Sequence, residues 1–182
     1  MKILSRRFNL YFLIFLAGLL AVGCSSPEKK RGKALSSLRV HGEGAKDAGG
    51  RTSGITVFRA KPIPIQIERS PLATEGNVRE AKLVDVMGGF AIQIQFDRRG
   101  SWLIEQFTTM NRGKRLAIFS QFVSPPAVKP NDERWLAAPK ISQPITNGLL
   151  IFTPDATEEE ARQIVQGLNN AAKKYQDKEL DL

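Results

Sequence analysis

The sequence predicts an α+β domain. Two kinds of periodicity carry this: alternating apolar runs such as Ile92-Gln93-Ile94-Gln95-Phe96, and a stripe of Ala161, Ile164, Val165, Leu168, Ala172 and Tyr175 at helical spacing. The order in which they occur is the third observation. Strand, helix, strand, strand, helix builds an antiparallel-rich sheet with two helices on one face, a sandwich of the ferredoxin-like kind.

Taken in order, the first ordered strand begins at Ile55-Thr56-Val57-Phe58. Ile63, Ile65 and Ile67 alternate with Pro64 and Gln66 as the next. Pro62 and Pro64 confine that strand to a sheet edge, because proline has no N–H for a ladder. Residues 71–78 read as a turn with one helical turn. Residues 83–86 and 91–96 are two strands joined tightly through Met87-Gly88-Gly89. A helix follows over residues 101–110, with Ser101 as N-cap, Leu103, Phe107 and Met110 on one face, and Gly113 suited to the C-terminal cap. Residues 116–122 return as a strand, and a proline-rich excursion runs from 124 to 135. Residues 140–145 lead through a hairpin turn at Asn147-Gly148 into a strand over 149–152. Thr157 and Glu160 form a capping box that opens the second helix. The expected core is Ile92, Ile94, Phe96, Leu103, Phe107, Leu116, Ile118, Leu150, Phe152, Ile164, Val165 and Leu168.

The chain opens with Lys2, Arg6 and Arg7, then an apolar run over residues 10–22 that is too short to span a bilayer as a helix. Ala21-Val22-Gly23-Cys24 closes it. Small residues before a cysteine fit the narrow subsites of a signal peptidase, and Cys24 is the only thiol in the chain. The pattern reads as a bacterial lipoprotein signal over residues 1–23 with lipid attached at Cys24, although Ala21 stands where leucine is usual. An ordinary signal peptide with an incidental thiol is the alternative. Residues 24–54, rich in Gly, Ser, Lys and Arg, offer too little apolar surface to offset the entropy of ordering, and are expected to form a disordered tether. The folded domain is then 55–172, followed by a charged tail over 173–182. The location expected is the extracytoplasmic face of a bacterial membrane, with Ser25 after the cysteine leaning toward the outer one.

The formal net charge of +9 divides into +3 in the leader, +4 over residues 25–54 and +2 over the rest. The folded part is nearly neutral, so a groove for nucleic acid is excluded. With Cys24 acylated no thiol remains for a disulfide, a zinc site or a nucleophile. His41, the only imidazole, falls in a Gly-rich stretch and is expected to be a solvated linker side chain. No catalytic set, cofactor or metal site is expected: Asp97 lacks a partner base, and Glu158-Glu159-Glu160 is explained by the dipole of the helix it opens.

Pro71-Leu72-Ala73-Thr74-Glu75, residues 77–83, residues 111–118, Ala138-Pro139-Lys140-Ile141, Gly148, Phe152-Thr153, Glu159-Glu160-Ala161 and Leu168 together resemble the head subdomain of the first extracytoplasmic domain of the SecD/SecDF protein-export family. The resemblance covers about residues 68–168. It implies a head outside the membrane that contacts emerging polypeptide and swings, driven by a proton-coupled transmembrane bundle. This chain departs from the family's pattern in two places. Residues 121–136 replace a short Asp-Gly turn, and the sequence ends where the family enters its next membrane span, so a head without its motor is expected. Trp135 amid the prolines, and Arg112, Lys114 and Arg115 at the turn before the third strand, are the candidate partner contacts. Trp135 folding back as a lid on the sheet is the competing reading. The function implied is a lipid-anchored protein-binding module whose partner is unfolded polypeptide, the export channel or another envelope protein. The alternative is a structural or assembly lipoprotein of the envelope with no role in export.

Overall fold

The computed structural model describes residues 34–46, 49–123 and 132–180. Among these are strands β1 (Ser37–Gly42), β2 (Thr52–Val57), β3 (Ile63–Glu68), β4 (Ala73–Thr74), β5 (Val78–Val86), β6 (Gly89–Phe96), β7 (Leu116–Phe122), β8 (Asp132–Ala137) and β9 (Leu149–Phe152), with helices α1 (Arg98–Met110) and α2 (Glu158–Leu180). The leader, Cys24 and the insertion prolines Pro125, Pro126 and Pro130 lie outside the described residues. Every strand pairing is antiparallel. The α+β class and the two helices match the prediction. The strands are shared among a four-stranded sheet in the order β4-β1-β7-β8, a three-stranded sheet β5-β6-β9, and the hairpin β2-β3.

The disordered tether predicted for residues 24–54 is overturned where the structure describes it. β1 is an interior strand bonded to β4 on one side and β7 on the other, and Leu38 and Val40 are fully buried. Sparse apolar content misled because an interior strand needs few inward side chains. Two aliphatics contribute about 1.5–3 kcal/mol each on burial, and the ladders on both sides satisfy the backbone. Gly42 is needed at the end of this strand, since a Cβ there would lie 2.1 Å from Phe107 Cζ. β2 likewise starts before Ile55.

The tight join between β5 and β6 is a two-residue turn, with Val86 paired to Gly89 and Gly88 at φ 86°, a conformation glycine adopts freely. α1 begins earlier than predicted and its cap is Asp97, whose Oδ1 accepts the Gly100 N–H at 2.6 Å, so Ser101 lies inside the helix. Its buried face is Gly100, Ile104, Phe107 and Thr108; Leu103 is half-buried, and Met110 is 75% exposed. The stripe therefore turns by one residue from the one predicted. Residues 140–145 form no strand and no hairpin with β9. Their backbone is held by the end of α1 and the loop after it: Ile145 N–H donates to Thr108 Oγ1 at 3.0 Å, Ile141 N–H to the Lys114 carbonyl at 2.8 Å. β9 pairs with β6 instead.

The capping box of α2 forms as the sequence predicts. Thr157 Oγ1 accepts the Glu160 N–H at 3.2 Å, and Glu160 Oε2 accepts the Thr157 N–H at 2.8 Å. Ala161, Ile164, Leu168 and Ala172 are buried along the helix, which continues through most of the predicted tail. They join Leu38, Val40, Ile92, Ile94, Phe96, Ile118 and Phe122 in the main core. A second, smaller core lies on the opposite face of the four-stranded sheet. There Val57, Ile65 and Ile67 of the hairpin meet Ala117, Ala138 and the half-buried Trp135.

Candidate interaction surface

The four candidate contacts do not converge on one site. Trp135 lies on β8 opposite Phe119 of β7, with the two rings 5.2 Å apart. It packs into the second core from its place in β8, as part of the sheet. Arg115 serves the framework: its N–H donates to Glu43 Oε2 at 2.7 Å, and its guanidinium donates to the Ala138 carbonyl at 2.8 Å. Arg112 and Lys114 are exposed on the turn after α1, where Arg112 reaches the Ser142 carbonyl at 3.1 Å.

His41 corrects the linker reading. It is 6% exposed, on the hairpin side of β1, and lies 5.5 Å from Trp135 with the rings near perpendicular. Its Nδ1 is 2.8 Å from the Glu68 carbonyl oxygen. A carbonyl can only accept, so Nδ1 carries the hydrogen and bridges β1 to β3. Burial lowers the imidazole's pKa; the bond to Glu68 opposes this and the charge of Arg39 adds to it. The ring is therefore held neutral.

A charged clasp joins β8 to the start of α2. Arg134 of β8 donates to Glu160 Oε1 at 3.0 Å, pairs with Asp132, and has its guanidinium 5.1 Å from the centre of the Phe122 ring. Beside it the Arg59 N–H donates to Asp155 Oδ2 at 2.9 Å, and its Nε to the same oxygen at 3.2 Å. Burial pushes the Asp155 carboxyl up, but the bonds and charge of Arg59 outweigh it and the net shift is downward. Phe58, just before, has φ 68°, which a bulky side chain rarely adopts. The chain enters this clasp through a strained residue. Composition and spacing carried no signal of it, because its members come from distant parts of the sequence.

Accessible among the described residues are several apolar side chains and the outer edge of β9. Trp102 is 56% exposed on α1, beside an open depression of about 830 Å³ whose lining includes Asp97, Arg98, Arg99 and Glu105. Met110 is exposed on the same helix and Ile151 on β9. Among the described residues no three His, Cys, Asp or Glu side chains are grouped to hold a metal, and no helix is long and apolar enough to cross a membrane. The arrangement offers contact surface: apolar side chains, a few surface charges and backbone hydrogen-bonding groups.

The family model described as "SecDF, P1 head subdomain" matches residues 53–172. No curated protein matches the chain. Among solved structures, "Structure and function of a membrane component SecDF that enhances protein export" is 22% identical with a TM-score of 0.54, over 82% of this chain and 70% of that one. "Crystal structure of SecDF in Super-membrane-facing form" is 20% identical with a TM-score of 0.52, over 80% of this chain and 21% of that one. At this identity the likeness to both is one of fold.

Proposed function

The chain belongs to the SecDF P1 head subdomain family, and on that premise we propose that it is a lipid-anchored extracytoplasmic module that binds polypeptide in the service of protein export. The observation that carries the reading is the family match over residues 53–172, on a chain whose only cysteine, Cys24, follows the apolar run over residues 10–22. One solved relative is described as a membrane component that enhances protein export. The module acts by contact. Its accessible features, Trp102, Met110, Ile151 and the Arg112–Lys114 turn, suit binding of chains rather than turnover of a small substrate. Acylation of Cys24 holds the head at the membrane surface, and the basic cluster Lys29-Lys30-Arg31-Lys33 supports the anchor on anionic headgroups.

The test is a pair of strains, one carrying Cys24→Ala and one lacking the chain. Cys24→Ala should abolish incorporation of labelled palmitate and move the protein from the membrane fraction to the soluble one. Loss of the chain should slow maturation of exported proteins in a pulse-chase. Palmitate labelling with unchanged export would contradict the export reading and leave an assembly lipoprotein. Unchanged fractionation of Cys24→Ala would contradict the anchor.

A further inference from the structure

The three-stranded sheet has two outer edges, and α2 blocks one of them at Ala81. At β5 the outward N–H of Ala81 donates to Asn169 Oδ1 at 2.8 Å, and Asn169 Nδ2 donates to the Ala81 carbonyl at 2.9 Å. The amide of α2 thus occupies the donor and acceptor that a further strand would use at that point. At β9 the ladder runs through Leu150 and Phe152, in phase with the 3.0 Å bond from Phe96 N–H to the Gly148 carbonyl. Alternation turns the backbone groups of Leu149, Ile151 and Thr153 away from β6. Asn147 Oδ1 accepts the Leu149 N–H at 3.0 Å. Among the described residues nothing pairs with the outward N–H and C=O of Ile151, whose side chain is 47% exposed.

Resting on the polypeptide-binding reading, we propose that an extended polypeptide segment adds to this free edge of β9 as the fourth strand of the sheet. Only an extended backbone presents a donor and an acceptor together at every second residue, about 7 Å apart, as this edge does. The edge is short, bounded by Asn147-Gly148 on one side and Pro154 on the other, so the bound segment is a few residues long. Main-chain bonding makes it tolerant of sequence. The single side-chain preference is for an apolar, uncharged residue beside Ile151. A second copy of this chain is the poorer occupant: pairing two four-residue edges falls far short of the roughly 1,200 Å² that a stable dimer buries. A segment of exported chain that binds and leaves requires no such area.

Ile151→Pro makes the test clean. Its N–H points away from β6, so proline removes the outward donor without breaking the existing ladder, and edge strands tolerate it there. The probe is a reduced, carboxymethylated, permanently unfolded polypeptide, added to the full mature chain while amide exchange is followed residue by residue. The expected result is slowed exchange at Ile151 and Thr153, with binding about tenfold weaker in Ile151→Pro at unchanged melting temperature. If Ile151→Pro melts early, Ile151→Lys serves instead, placing a charge beside the bound segment and weakening binding in the same way. Binding that protects other amides and is indifferent to position 151 overturns this site while sparing the polypeptide-binding reading. An absence of binding by the unmutated chain overturns both. Protection that rises with the chain's own concentration, without probe, assigns the edge to a second copy and also overturns it.

Discussion

The two cores on either side of the four-stranded sheet are built differently. The main core is closed by two sheets and two helices, and its centre is fully buried aliphatic and aromatic side chains such as Ile92, Ile118, Phe122 and Ile164. The second core is a hairpin laid on the back of the sheet, with half-buried Trp135, Ile55 and Phe58 at its margins and a buried imidazole bridging it to β1. The first is held by packing in depth. The second depends on a thin apolar layer and a few directed bonds, so local opening should be cheaper there.

The largest expected effect tests the depth of the main core. Phe122→Ala should cost about 3–5 kcal/mol and Leu38→Ala about 2–5 kcal/mol in denaturant unfolding. A near-neutral Leu38→Ala would return β1 to the tether and remove the ground for the comparison. Trp135→Ala should cost less, about 2 kcal/mol, since the ring is only half-buried. Its effect on hydrogen exchange should be confined to β2 and β3, leaving α2 protected. A uniform loss of protection would mean that the two cores open together.

Acidification sharpens the contrast through His41. Its folded pKa is depressed, so the unfolded chain binds the proton more readily. The stability it contributes is complete above the ordinary value of 6.5 and is lost progressively as pH falls below it. Protection of the hairpin amides, with exchange referred to the intrinsic rate at each pH, should therefore be lower at pH 5.5 than at pH 7.5, and His41→Gln should flatten that difference. The smallest effect belongs to the exposed Arg162–Glu158 pair on α2: Arg162→Ala should change stability by no more than about 0.5 kcal/mol.

How much of this was legible in the sequence depends on how local its cause is. α2 could be read from its capping box through Ala172, because box and stripe lie within one segment, but it runs on to Leu180 through the expected tail and leaves Tyr175 exposed. The β5–β6 hairpin was equally plain from Met87-Gly88-Gly89 between alternating runs. α1 was found but phased one residue off. Trp102, Leu103 and Ile104 are three adjacent apolar side chains, and only packing into the main core, where Phe107 of the same helix meets Gly42, decides that Ile104 faces inward. β1 was missed because its partners lie far off, at Ala73 and along β7. The candidate site divides the same way. Trp135 stood out as an aromatic among prolines, yet its resting place against Phe119 and His41 is tertiary. The closure of Ala81 by Asn169, separated by 88 residues, left no trace in local pattern.

The most direct measurement places a photoreactive side chain at position 151 of the full chain in intact cells and identifies what it captures. The account predicts adducts with exported polypeptides in transit, formed from the membrane-bound protein and reduced when the anchor at Cys24 is removed. Adducts only with resident envelope proteins, unaffected by ongoing export, would contradict it.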